Sequence, residues 1–170
     1  MNGEHLLLDI GSGNPEEGEV RPEGFLLQDI EPHKGIDLVC DIEELDKFIK
    51  VGQCKRIRAS HVLEHFPTSH IPKIFTMIHT LLEKDGELEI HVPNFGWHCA
   101  LFCENRDEEA VHYAFGGQLD KYDFHKTAFT PRILITRLTE AGFRIGQLEV
   151  EHSIHCLAIK IDNVEHEEVK

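Results

Sequence analysis

Three acidic residues, a pair of glycines and a set of histidines carry the chemistry this chain could perform. Asp9-Ile10-Gly11-Ser12-Gly13 closes the apolar run Leu6-Leu7-Leu8. Glycines at 11 and 13 can take φ > 0 and let the backbone approach a ligand closely. Asp29 follows Gly11 by 18 positions, near the spacing at which a carboxylate meets a ribose diol in a nucleotide-binding fold. Asp41, in Leu38-Val39-Cys40-Asp41-Ile42, could accept from an adenine amino group while Ile42 packs on the ring. Taken singly, each acid reads as a solvated strand end. Three in order at successive strand ends point to one crevice.

His61-Val62-Leu63-Glu64-His65 is a second constellation. On a helix its two histidines and its glutamate share a face, a spacing that can hold zinc with a carboxylate as base, so the segment alone suggests a small metal-dependent hydrolase. His61, His65 and His125 are also candidate proton acceptors, because imidazole titrates near neutrality. With 13 histidines in the chain, any one of them is more often structural. Cys99 and Cys103 lie four apart beside His98, without the second pair of a structural zinc site, and five cysteines at irregular spacings suit reduced thiols.

The elements that must position these groups alternate between strand and helix, the pattern of an α/β domain with a mostly parallel sheet. Strands are expected over His5 to Ile10, Gly24 to Asp29, Ile36 to Cys40, Lys55 to Ala59 and Glu87 to Val92. Helices are expected over Glu43 to Lys50, over His70 to Glu83 with Asp85-Gly86 ending it, and from Thr130-Pro131 to Gly142. Phe143 to Val150 and Ile154 to Ile161, joined by three residues, must form an antiparallel hairpin. Between Phe95 and Phe129 the pattern is irregular, and an insertion after the fifth strand falls on the ligand face of such a sheet.

The chain has 170 residues, enough for one domain, expected over 1–161, followed by an acidic tail over 162–170 that reads as a frayed end. A formal charge of −14 makes nucleic acid an unfavourable partner. No apolar run approaches bilayer length and no leader is seen, so no membrane association and a cytoplasmic location are expected. The loop after Gly13 continues Asn14-Pro15-Glu16-Glu17-Gly18-Glu19, which would repel a pyrophosphate and favour a cation. S-adenosylmethionine, an adenosine carrying a sulfonium, fits better there than NAD.

The glycine segment, the acids Asp29 and Asp41, Ala59-Ser60-His61-Val62-Leu63-Glu64-His65-Phe66 and Leu82-Glu83-Lys84-Asp85-Gly86 together resemble the ordered motifs of class I S-adenosylmethionine-dependent methyltransferases. Phe115-Gly116-Gly117-Gln118 and Tyr122-Asp123-Phe124-His125-Lys126-Thr127-Ala128-Phe129-Thr130 are similar to a compact, methyltransferase type 11-like subgroup of predicted enzymes. The resemblance implies a Rossmann-like seven-stranded sheet, mostly parallel with an antiparallel last strand and helices on both faces. It implies cofactor contacts from Asp9, Gly11, Ser12, Gly13, Asp29, Ile30, Asp41, Ile42 and Ser60, and catalysis by His61, His65 or His125. The acceptor is expected to be a small molecule or sugar held by the 95–129 segment, with Trp97, Phe115, Gln118, Tyr122 and His125 facing the methyl group. Because His61, Glu64 and His65 fall where the cofactor and acceptor meet, no required metal is expected. One departure is the short link of about ten residues between glycine loop and second strand, where the family has a full helix. It leaves open a cofactor-binding or degenerate module acting through a partner.

Overall fold

The computed structural model describes residues 5–14 and 23–162. The acidic loop Glu16-Glu17-Gly18-Glu19 and residues 163–170 of the tail lie outside the described residues. Seven strands form one sheet: β1 (Leu6–Ile10), β2 (Leu26–Asp29), β3 (Leu38–Val39), β4 (Cys54–Ser60), β5 (Leu82–Pro93), β6 (Phe143–Val150) and β7 (Ser153–Lys160). Their order is β3-β2-β1-β4-β5-β7-β6. The first five pair in parallel, and β7 runs antiparallel to both β5 and β6. The 143–161 hairpin expected from its short link is therefore present.

Alternation along these strands separates two faces. Leu8, Ile10, Ile57, Ala59, Leu88, Ile90, Val92, Ile154, Cys156 and Ala158 are buried in one hydrophobic cluster. Helices α1 (Ile71–Leu81) and α4 (Pro131–Glu140) and the 3-10 turn Ile42–Lys47 join that cluster. α1 buries Ile71, Ile74, Phe75, Ile78 and Leu81, an i, i+3, i+4, i+7 stripe worth about 1.5–3 kcal/mol per side chain. α4 begins as its sequence requires, with the Thr130 hydroxyl accepting from the Ile133 N–H and Pro131 in the first turn. The opposite face carries polar residues. Asp9, out of solvent, pairs with Arg58 of the adjacent strand at 3.1 Å, Arg56 pairs with Glu87, and the rings of His91 and His155 stack 4.0 Å apart. No helix among the described residues is long and apolar enough to cross a membrane.

Three elements differ from expectation. The segment 42–47 is a 3-10 turn, with Asp41 as its N-cap. β5 starts at Leu82, five residues early: Leu82 is buried and pairs with Cys54, so strand pairing takes over where α1 ends. Asp85-Gly86 then forms a bulge, with Asp85 at φ 58°, and breaks the helix only in appearance. Finally, the 95–129 insertion holds two further helices, α2 (Phe95–Cys103) and α3 (Asp107–Phe115), packed on each other. α2 is apolar on nearly all sides, which hides its period, and Asn94 caps it by accepting from the Gly96 N–H.

Burial, then the neighbouring His155, holds the His91 imidazole below its ordinary range; Arg58 and His61 act the same way and Glu89 opposes them. The unfolded chain therefore takes up a proton that the folded chain resists, and the stability held above about pH 6.5 is lost as pH falls through the lower, folded value. The urea midpoint should decline below that pH, and less steeply in His91→Gln. An unchanged slope would remove His91 as a contributor.

Candidate functional site

The crevice forms at the carboxyl ends of β1, β2 and β4. Gly11 at φ 61° and Gly13 at φ 63° turn the chain sharply after β1. Each N–H of the turn finds a fixed acceptor on β2. Gly11 donates to the Gln28 side-chain oxygen at 3.0 Å, Ser12 to the Gln28 carbonyl at 2.9 Å, and Gly13 to Asp29 Oδ2 at 2.7 Å. Gln28 Nε2 in turn donates to the Cys40 carbonyl at 2.7 Å, which ties the turn to the end of β3. Asp29 Oδ1 accepts from the Glu31 N–H at 2.9 Å. Each Asp29 oxygen thus spends one lone pair on the backbone and keeps another, the pair of acceptors a vicinal diol needs.

These walls enclose a cavity of about 430 Å³. Of the residues expected to meet a cofactor, Gly11, Gly13, Asp29, Ile30, Asp41 and Ile42 line it. Asp9, Ser12 and Ser60 are not among its lining residues. Asp9 faces Arg58 on the far side of the sheet, and the Ser12 hydroxyl is buried without a hydrogen-bond partner. Asp41 divides its duty, since its Oδ1 accepts from the Glu43 N–H to cap the 3-10 turn.

At the other end of the cavity stand His61 and His65. His61 follows β4 with φ 50°, an unusual conformation for a residue with a side chain, and its N–H donates to the His91 carbonyl at 2.9 Å. Leu63–His65 is a single 3-10 turn, too short to act as the helix face considered above. The end of the insertion docks on it. The N–H groups of Lys126 and Thr127 both donate to the Glu64 carbonyl, at 2.7 and 3.0 Å, and the Thr127 hydroxyl donates to the Phe66 carbonyl at 2.7 Å. This brings Asp120, Tyr122, Asp123 and Lys126 into the cavity wall.

The expected acceptor group is split by the structure. Tyr122 lines the main cavity, whereas Phe115 and His125 line a smaller one of about 140 Å³ with Glu64, and Trp97 packs edge-on to the rings of His98, Tyr113 and His152. Gln118 lines neither of these two cavities. Burial holds the His125 imidazole below its ordinary range, opposed by the Glu64 carboxylate. One ligand atom each of Glu64, His65 and His125 lies within 4.8 Å of the others. The trio differs from the one the sequence suggests, with His125 in place of His61. Gln28, Lys126 and the acids of the insertion were not identified from sequence. A glutamine inside the apolar strand Leu26-Leu27-Gln28 was the one visible signal.

A parallel sheet whose glycine turn, strand-end acids and ligand cavity lie together at the carboxyl edge defines an α/β enzyme of the nucleotide-binding type. The chain belongs to the methyltransferase domain family, whose sequence profile matches residues 6–148. No curated protein sequence matches it. Among solved structures it is similar to a methyltransferase from Methanosarcina mazei, 14% identical over 95% of this chain and 94% of that one, with a TM-score of 0.66. It is also similar to the 1,6-didemethyltoxoflavin-N1-methyltransferase of Burkholderia thailandensis, 18% identical over 92% of this chain and 71% of that one, with a TM-score of 0.61. A third similar fold is a methyltransferase from Archaeoglobus fulgidus, 17% identical over 93% of this chain and 87% of that one, with a TM-score of 0.64.

Gln28→Met should keep the volume at this fully buried position but orphan the Gly11 N–H and the Cys40 carbonyl. A loss of about 1–3 kcal/mol per orphaned group is expected in urea denaturation. Full stability would show that Gln28 does not hold the turn.

Proposed function

We propose that this protein binds S-adenosylmethionine in the main cavity and transfers its methyl group to a small-molecule or sugar acceptor. The observation that carries this reading is the chemistry of the cavity wall: six carboxylates, Asp29, Glu31, Asp41, Glu43, Asp120 and Asp123, face one lysine, Lys126. Such a wall disfavours a pyrophosphate and stabilises a sulfonium. Asp29 takes the ribose diol with its two free lone pairs, and Asp41, Ile30 and Ile42 receive the adenine. The Burkholderia enzyme holds S-adenosylhomocysteine together with a small-molecule acceptor, which supports the same pairing in this chain.

Methyl transfer is an in-line displacement: the acceptor's lone pair forms the new bond to carbon as the carbon–sulfur bond breaks and its electrons return to sulfur. The protein contributes alignment and, for a hydroxyl or amine acceptor, a group to take the proton. His61 is placed for that task, because it lines the cavity from the end of β4, with β1 and β2 between it and Asp41 after β3, and its Nδ1 is 3.4 Å from a Glu64 oxygen that can steady the ring when it becomes cationic. His65 lines the same end, and His125 stands behind it with ring centroids 5.1 Å apart. Tyr122 and the 120–126 stretch form the acceptor side of the wall.

Calorimetry with S-adenosylhomocysteine tests the reading. Asp29→Ala should weaken binding by about 1.5–3 kcal/mol, roughly 10- to 100-fold, through loss of hydrogen bonds to a charged group. NAD should bind more weakly than S-adenosylhomocysteine. The reverse order would overturn the cofactor assignment, and unchanged affinity in Asp29→Ala would take that residue out of the site.

A further inference from the structure

The geometry points to a divalent transition-metal ion held by Glu64, His65 and His125, in the wall between the main cavity and the smaller one behind it. This departs from the sequence expectation of no metal, and it gives Glu64, His65 and His125 a role that the binding of S-adenosylmethionine at Asp29 and Asp41 does not require.

Glu64 is only 2% exposed, and neither of its carboxylate oxygens accepts a hydrogen bond. The nearest basic group, His61 Nδ1 at 3.4 Å, belongs to a half-exposed ring and leaves the second oxygen unserved. A carboxylate withdrawn from water without donors is strongly unfavourable unless another charge compensates it. The backbone carbonyl of the same residue is fully used by Lys126 and Thr127, so the turn itself is well ordered around the orphaned side chain.

The two imidazoles are prepared for such an ion. His65 Nδ1 lies 3.2 Å from the Phe124 carbonyl and His125 Nδ1 lies 2.9 Å from the Tyr113 carbonyl. A carbonyl can only accept, so in each neutral ring Nδ1 carries the proton and Nε2 keeps the lone pair that a metal takes. Outer hydrogen bonds of this kind orient histidine ligands in metal sites. One carboxylate oxygen of Glu64 and one ring nitrogen of each histidine already lie within 4.8 Å of one another, although they come from two segments far apart in the chain. No other such group of histidine, cysteine and acidic side chains occurs among the described residues.

One carboxylate and two imidazoles suit zinc, iron(II), cobalt(II) or manganese(II); magnesium and calcium take oxygen ligands. Three protein ligands leave an open position, and because His65 lines the main cavity, an acceptor oxygen can reach it. His65 and His125 then serve as ligands, and proton transfer falls to His61.

The exposed thiols Cys99 and Cys103 could take up zinc on their own, so the test uses the full chain carrying Cys99→Ser and Cys103→Ser, stripped with chelator and titrated with zinc in a calorimeter. One equivalent should bind, cobalt(II) should give the visible bands of a low-coordinate site, and magnesium should not compete. Glu64→Gln and His125→Gln in that background should each weaken zinc binding at least about 100-fold, more than loss of an outer hydrogen bond would. Circular dichroism and melting confirm folding; should Glu64→Gln not fold, His125→Gln, on the other segment, carries the same test. Loss of all binding with the two serines, or undiminished affinity in His125→Gln, would overturn the site. Neither result depends on whether S-adenosylmethionine binds.

Discussion

A side chain at position 11 has nowhere to go. A Cβ built there would lie 2.1 Å from Val62 Cγ2, and the backbone stands at φ 61°, so only glycine satisfies both constraints. The turn after β1 and the turn after β4 are pressed together at that point. From this contact the crevice takes its shape. Gln28 and Asp29 hold one side of the turn through its N–H groups, and Val62 meets the other side. His61 and Leu63 flank Val62, so the β1 and β4 sides of the cavity are set by a single close approach.

Electrostatic asymmetry does the rest. The apolar face of the sheet is covered by α1 and α4, and the opposite face satisfies its charges in pairs such as Asp9 with Arg58. At the carboxyl edge, by contrast, acidic groups gather around an open cavity. Asp29 and Asp41 spend part of their hydrogen-bonding capacity on backbone N–H groups and also line the cavity, so the same carboxylates brace the turns and set the charge of the wall. Asp9 shows the opposite outcome. Its place in the motif suggests a ligand contact, but strand alternation carries its side chain to the other face and into an ion pair that a cofactor would have to break.

The 95–129 insertion was the least legible part of the chain. Its helix α2 is apolar on nearly all sides and so lacks the period that reveals a surface helix, and α3 is recognisable only from its acidic first turn and Gly116 at its end. Position alone indicated that the insertion would reach the ligand face, and its 120–126 stretch does so. Which of its aromatics face the cavity could not be read, because that depends on how α2 and α3 pack: Tyr122 is brought in, while Trp97 is turned toward His152.

Local signals were enough for the sequence by itself to determine the mostly parallel sheet implied by alternating elements, the glycine turn with its strand-end acids, the stripe of α1, the cap of α4 and the final hairpin. Each of these depends on residues close together in the chain, through period, capping or loop length. Only the tertiary structure decided that Gln28 locks the turn, that β5 begins at Leu82, and that His125 rather than His61 joins Glu64 and His65. These outcomes depend on contacts between distant segments, where packing chooses which polar group is left facing which, and residue spacing along the chain carries no record of that choice.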